Sequence, residues 1–331
     1  MRVGIVGAGT MGGVHAAGWK STDAELVGVM SKNQKAALEL SQKYDTKKFD
    51  SYEDLLGQVD IIDICVPTDF HKEMVLQAAK AGKHILCEKP IALSVEDGQA
   101  MVEACNAAKV RLFIAMVVRF FPQYSAAKQA VENGHVGDIG VMRFKRVSYQ
   151  PVGDEAWFTN ETRSGGMLVD LMIHDFDYAR WLGGEVKRVF AKSVRGQDPT
   201  ALTDYALVTL GFDNGRMALV EGGWAYPPGY FRTSLDIAGS QGVIEWRSDD
   251  AITVQPFLKP KEEKGVARVG VPSSLLAEDP YTTEIKHAYD CIKSNKPFLV
   301  TAEDGLEALR IALAAKESLK TGKAVQIRGG Q

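Results

Sequence analysis

Met1-Arg2-Val3-Gly4-Ile5-Val6-Gly7-Ala8-Gly9-Thr10-Met11-Gly12 is an apolar run followed at once by three glycines spaced G-x-G-x-x-G. The apolar run predicts a strand and the residues beyond it a helix, so the glycines fall on a strand-to-helix turn. That context gives an otherwise weak pattern its meaning. Gly7 permits the tight turn, Gly9 lets backbone approach a pyrophosphate, and Gly12 allows the helix to pack closely on the strand. Thr10 and Met11 lie in the first helical turn, where unpaired N–H groups and the positive dipole end suit phosphate. The stretch reads as a dinucleotide site.

Working outward, Leu26–Met30, Ile61–Val66, His84–Cys87 and Leu112–Ala115 predict further strands. Amphipathic segments at Gln34–Tyr44, His71–Ala81 and Val95–Ala108 lie between them. Continuous apolar strands alternating with helices indicate a parallel sheet covered on both faces, a doubly wound α/β fold of the Rossmann kind. After about Arg119 the pattern changes. A helix over Pro122–Asn133, a strand over Ile139–Tyr149 and a long apolar helix over Gly166–Leu182 are followed by alternating strands. These are Val186–Val194, Tyr205–Phe212, Arg216–Trp224, Thr233–Ala238 and Gly242–Trp246. Asp213-Asn214-Gly215 and Ser240-Gln241-Gly242 suit tight hairpins between them. The second domain is therefore expected to be α+β with a mostly antiparallel sheet. Lys259–Arg268 reads as a charged loop, and helices over Tyr281–Ser294 and Ala302–Thr321 close the chain. The expected domains are 1–118 for the dinucleotide and 119–331 for substrate and oligomerisation, with the last segment packing back on the first.

At 331 residues the chain exceeds the size at which a single core stops growing. Its net charge of −3 leaves no basic footprint for nucleic acid or an anionic membrane, which points to a small-molecule partner. No stretch reaches the roughly 18 to 20 uncharged apolar residues that span a bilayer, and residues 1–7 lack a signal-peptide pattern; the cytoplasm is the expected location. Cys65, Cys87, Cys105 and Cys291 are scattered without a C-x-x-C pair, so no metal site is expected. Cys65 and Cys87 read as buried reduced thiols.

A nicotinamide dinucleotide site commonly carries an acid at the end of the second strand, where it holds the ribose 2′-hydroxyl. Here that end is Ser31-Lys32-Asn33. Nothing repels a 2′-phosphate, Ser31 can donate to it, and Lys32 adds positive charge or is a solvated residue at a helix start. The cofactor expected is NAD(P), leaning towards NADP.

Two segments place ionisable groups where apolar ones belong. Cys87-Glu88-Lys89-Pro90 lies at the carboxyl end of a parallel strand, where ligands of open α/β sheets bind. Asp170, His174, Asp177 and Trp181 recur at helical spacing on one face of an otherwise apolar helix. A buried Asp–His pair is costly unless paired or used, and at i,i+4 the acid can orient the ring and raise its basicity. Alcohol oxidation by a nicotinamide needs a base for the hydroxyl proton and a cation for the developing alkoxide. His174, oriented by Asp170, suits the first role and Lys89 the second; Asp177 is as readily structural.

These markers, in order, are Gly7–Gly12, Val66-Pro67-Thr68 with His71, Glu88-Lys89-Pro90, Arg119-Phe120 with Pro122, and Gly165-Gly166-Met167-Leu168 leading to Asp170, His174 and Asp177. The set resembles the glucose–fructose oxidoreductase / inositol dehydrogenase family, Gfo/Idh/MocA, over nearly the whole chain. The resemblance implies a Rossmann domain followed by an open, mostly antiparallel sheet whose exposed face makes dimers or tetramers. It implies catalytic roles for Lys89, Asp170 and His174. Pro67, Thr68, His71, Glu88 and Lys89 would lie along the cofactor, and Arg119 near its nicotinamide end. The run His174-Asp175-Phe176-Asp177 is nearest to members acting on polyols, inositols and sugars. The Ser148–Trp157 segment would line the substrate pocket, with Tyr149, Trp157 and Arg163 as contacts. The alternatives are a dinucleotide- or sugar-sensing regulator without turnover, against which the intact acid–base set counts, and an NAD-dependent glycoside hydrolase.

Overall fold

The computed structural model describes residues 1–152, 157–194, 205–249 and 278–327; the loop expected at Lys259–Arg268 and part of Ser148–Trp157 lie outside them. The chain divides into two compact units, Met1–Phe120 with Ser273–Leu306, and Phe121–Pro272 with Glu307–Gln331.

In the first unit, strands and helices alternate: β1 (Arg2–Val6), α1 (Thr10–Lys20), β2 (Glu25–Met30), α2 (Gln34–Lys43), β3 (Lys47–Phe49), α3 (Tyr52–Leu56), β4 (Ile61–Ile64), α4 (His71–Lys80), β5 (His84–Glu88), α5 (Val95–Ala108) and β6 (Leu112–Ala115). The strand order is β3-β2-β1-β4-β5-β6, with every neighbour parallel. This is the doubly wound Rossmann arrangement, whose order reverses between β1 and β4 and opens a crevice at their carboxyl ends. β4 and β6 are buried at every residue, which is why they read as unbroken apolar runs. Local chemistry sets the helix starts: Asn33, Ser51 and Ser94 each accept a backbone N–H three residues on, capping α2, α3 and α5. β3 was not expected, because three residues on a sheet edge leave no periodic signal.

The second unit contains α6 (Pro122–Glu132), β7 (Ile139–Ser148), α7 (Glu161–Ser164), α8 (Met167–Asp170), α9 (Ile173–Gly183), β8 (Val186–Val194), β9 (Tyr205–Phe212), β10 (Met217–Gly223), β11 (Phe231–Gly239) and β12 (Val243–Arg247). After α10 (Pro280–Ser294) of the first unit and α11 (Ala302–Thr321), β13 (Val325–Gln326) joins its edge. The sheet runs β12-β11-β7-β10-β9-β8-β13. All its pairs are antiparallel except β7 with β10. Alternation of buried and outward residues along β9, and along β10 as far as Gly222, leaves one face packed and one outward. The packed face meets α8 and α9 at β7 and β10.

The apolar run expected as one helix over Gly166–Leu182 is two helices, broken at Leu171–Met172. Met172 N–H bonds to the Met167 carbonyl at 3.0 Å, five residues back, while Asp175 N–H reaches Met172 O at 3.0 Å, only three back. Tertiary packing accounts for the break. Met172 lies directly on Gly222 of β10, where an added Cβ would come 2.3 Å from Met172 Cγ. A bidentate ion pair, Arg146 Nε to Asp175 Oδ2 at 2.7 Å and Nη2 to Oδ1 at 3.1 Å, ties β7 to α9 with both residues buried. Removing one partner of such a pair strands a buried charge, so this contact fixes the α9 start against the sheet.

Candidate active site

In the first unit the site begins at the turn between β1 and α1. Gly7 has φ +105°, and a Cβ there would lie 2.2 Å from the Cys65 carbonyl oxygen at the end of β4. Gly12 comes equally close to its own strand, its would-be Cβ 2.0 Å from the Gly7 oxygen. Gly9, the N-cap of α1, has nothing within 4 Å of a Cβ. The turn is thus packed at its first and third glycines and open at the second, with exposed Thr10 and half-buried Met11 beside the opening. That is the surface a pyrophosphate requires, with the α1 N-terminus behind it.

Around this turn, the end of β2 presents half-buried Ser31 and exposed Lys32. Ser31 Oγ accepts the Asn33 N–H at 3.3 Å, and Lys32 Nζ stands 3.9 Å from the centre of the Phe70 ring. After β4, Pro67 leads into a short 3₁₀ turn, Thr68–Phe70, and then into His71 at the head of α4. His71 is buried, with Nδ1 2.8 Å from the Pro90 carbonyl and Nε2 3.0 Å from that of Val66. It therefore bridges the loops that follow β4 and β5. Burial pushes the ring below its ordinary pKa against the pull of those carbonyls. Glu88 ends β5, and the Lys89–Pro90 peptide bond is cis. Lys89 is half-buried, and its backbone N–H donates to Glu88 Oε2 at 3.0 Å. Arg119 is buried, donating to Leu299 O at 2.9 Å and Asp304 Oδ2 at 3.3 Å.

In the second unit, Asp170 ends α8 and His174 lies in the first turn of α9. Asp170 is buried, at 7% exposed, while His174 is half-buried in an otherwise sealed segment. The helix break places them on successive short helices rather than on one continuous face. Asp177 is buried and Trp181 half-buried further along α9. Upstream, Ser164-Gly165-Gly166 is held rigidly. Ser164 Oγ donates to Phe158 O at 2.9 Å and accepts the Gly166 N–H at 3.0 Å, and Lys316 Nζ donates to Gly165 O at 2.8 Å. Tyr149 pairs with Ala225 just beyond β7, Trp157 stacks on Phe158 at 3.8 Å, and Arg163 is half-buried on α7.

The sequence reading missed a sealed polar cluster beneath the β1–α1 turn. His15 of α1 places Nδ1 3.0 Å from both oxygens of Asp63 on β4, and Trp19 Nε1 donates to Asp63 Oδ2 at 2.6 Å. His15 Nε2 stands 3.0 Å from Glu88 Oε1, an ion-pair contact rather than a straight hydrogen bond. The available signal is Asp63, a lone acid inside Ile61-Ile62-Asp63-Ile64. Cys65, expected buried, is only half-buried, whereas Cys87 is sealed; all four thiols are free.

Residues 1–116 match the family model described as "Oxidoreductase family, NAD-binding Rossmann fold", and residues 124–245 match the GFO/IDH/MocA C-terminal domain. Myo-inositol 2-dehydrogenase of Thermotoga maritima is 32% identical, covering 99% of this chain and 98% of that protein. Inositol 2-dehydrogenase of Rhizobium meliloti is 27% identical over 99% of each chain. Among solved structures, a myo-inositol dehydrogenase from Corynebacterium glutamicum superposes with a TM-score of 0.82 at 24% identity, covering 100% of this chain and 99% of that one.

The glycine geometry makes a separable prediction. Gly9→Ala leaves the melting temperature within about 2 °C of the parent while weakening dinucleotide binding, read by calorimetry, about tenfold or more. Gly7→Ala costs roughly 2 kcal/mol or more of stability through clash and strain. Equal effects of the two substitutions on stability would contradict the packed-open-packed reading. Matched by both halves of its length and by a full-length relative above 30% identity, the chain belongs to the Gfo/Idh/MocA family of NAD-binding oxidoreductases.

Proposed function

We propose that this protein is a dehydrogenase that oxidises a secondary alcohol of an inositol, other polyol or sugar, or runs the reverse reduction. The observation that carries the reading is the pair Asp170 and His174, a buried acid and a half-buried histidine in a largely apolar helical segment, in a chain with a phosphate-ready turn at Gly7–Gly12. The inositol dehydrogenases among its relatives support the substrate class.

The Gly7–Gly12 turn would hold a nicotinamide dinucleotide by its pyrophosphate, and the cofactor would supply hydride acceptance or donation. His174 removes the hydroxyl proton as the base, and returns it as the acid when a carbonyl is reduced. Asp170 sets the orientation of the His174 ring. Lys89 places an ammonium at the alkoxide that develops on the substrate oxygen. Thr10, Met11, Pro67, Thr68, His71, Glu88 and Arg119 shape the cofactor side, and Tyr149, Trp157 and Arg163 the sugar side. Reduction of cofactor across inositols, pentoses and hexoses, followed by the absorbance of the reduced nicotinamide, tests the class. His174→Ala lowers kcat by about two orders of magnitude or more while the dinucleotide Kd is unchanged. Near-parental turnover in that variant would sink the acid–base assignment.

For the cofactor, Ser31 and Lys32 leave no carboxylate at the end of β2, so NADP is accepted at least as well as NAD. Ser31→Asp shifts the ratio of kcat/KM values towards NAD by about tenfold, equivalent to ~1.4 kcal/mol. An unmoved ratio would show that the selector lies elsewhere.

The chain self-associates through the outward face of its second sheet. Leu207, Met217 and Leu219 are 54%, 42% and 40% exposed on β9 and β10. Register pairs Leu219 with Thr209 and Leu207 with Glu221, so the three share one face. A cluster of large apolar groups in the open marks an association surface. Sedimentation of the intact chain reports a dimer or tetramer, and Leu207→Glu shifts it towards monomer; a parental monomer would exclude this face as an interface.

A further inference from the structure

We propose that His15 is a positioning residue for the Glu88-Lys89-Pro90 turn: its doubly protonated ring, clamped between Asp63 and Glu88, fixes the carboxylate that accepts the Lys89 backbone N–H. The proposal rests on the reading of Lys89 as the site's ammonium.

The protonation follows from geometry. A ring nitrogen lone pair held 3.0 Å from a carboxylate oxygen is repelled, and here both nitrogens meet one: Nδ1 faces Asp63 and Nε2 faces Glu88. Each must carry hydrogen. His15, Asp63 and Trp19 have no exposed surface, and Glu88 is 8% exposed. Buried charges persist only when paired and hydrogen-bonded, and this set is paired. Asp63 takes the Trp19 indole N–H and the His15 Nδ1–H, while Glu88 uses one oxygen for His15 and the other for Lys89 N.

The remaining groups facing the ring are consistent with one positive and two negative charges. Cys65 Sγ lies 3.3 Å from Nδ1, and burial pushes its thiol up, so it stays neutral. Glu284 of α10 is fully buried near Glu88, His15, Asp63 and Asp279; burial and Glu88 raise its carboxyl well above the ordinary range, which disfavours a charge there. Burial opposes a charge on His15, but Asp63 outweighs it and holds the ring well above its ordinary pKa. Burial likewise works to raise the Glu88 carboxyl, yet His15 and then Lys89 hold it below the usual range. His15 Nδ1, an Asp63 oxygen and Cys65 Sγ also lie within 4.8 Å of one another. Both Asp63 oxygens already accept N–H bonds, however, so protons rather than a metal bridge the cluster. With a raised folded-state pKa, the clamp is complete below the ordinary histidine pKa and is lost as pH rises through the folded value.

Two measurements decide the matter. In the holoenzyme labelled with ¹⁵N-histidine, NMR between about pH 6 and about pH 9 should show one of the six histidines with both ring nitrogens protonated after the others have turned neutral. That signal should vanish in His15→Gln. A neutral His15 ring at the low end of that range, or zinc bound to the purified protein, overturns the proposal. In kinetics, His15→Gln should lower kcat about tenfold to a hundredfold, the cost of a small misplacement of a catalytic group. Dinucleotide Kd should stay within about threefold, and Glu88→Gln should reproduce the loss. Lys89→Met, run alongside, separates the two readings. If it remains active, the role of Lys89 falls; if it is inactive while His15→Gln turns over normally, the positioning role falls.

Discussion

The carbonyl oxygen of Cys65 occupies the space that a side chain at residue 7 would need, 2.2 Å from its would-be Cβ. Because β1 and β4 end so close together, the chain leaving β1 must turn through a left-handed residue, and only glycine does so without strain. That turn aims the α1 N-terminus across the point where the strand order reverses. It also brings His15, one turn into α1, over Asp63 on the neighbouring strand. The open glycine turn and the charge cluster are therefore two consequences of one close approach.

This coupling explains why polar groups are tolerated in the sheet centre. Asp63 sits in a strand otherwise made of isoleucine, where a lone carboxylate would be prohibitively desolvated. It survives because Trp19 and His15, four residues apart on α1, both donate to it. In the second unit Arg146 and Asp175 follow the same rule, sealing a charge pair behind the segment that presents His174. In both units, a buried pair anchors an element that carries proposed site residues.

How much of this was legible in the sequence depended on the range of the interaction. The Rossmann half, with its glycine turn and the positions of β2, β4, β5 and β6, was readable because β4, β5 and β6 are buried at nearly every residue and α2 and α5 carry their own caps. The hairpins at Asp213-Asn214-Gly215 and Ser240-Gln241-Gly242 were readable from local turn chemistry. The split at Leu171–Met172 was not, since no glycine or proline marks it and its cause, Gly222, lies on another element. Nor was the parallel pairing of β7 with β10, which joins strands far apart in sequence. Of the candidate site residues, Lys89, Asp170 and His174 stood out as ionisable groups in apolar runs. His15 did not, because its partner Asp63 is 48 residues away and a single histidine in a helix is ordinarily a satisfied core residue.

The central claim, that a hydride passes between an alcohol carbon and a nicotinamide, is tested most directly by following the hydrogen itself. A polyol deuterated at the carbon to be oxidised, myo-inositol first, is turned over with the cofactor and the products are examined by NMR. The account predicts that the label arrives at C4 of the nicotinamide ring, on one face only. Deuterium released to water, or retained in the product while the cofactor stays oxidised, would contradict it.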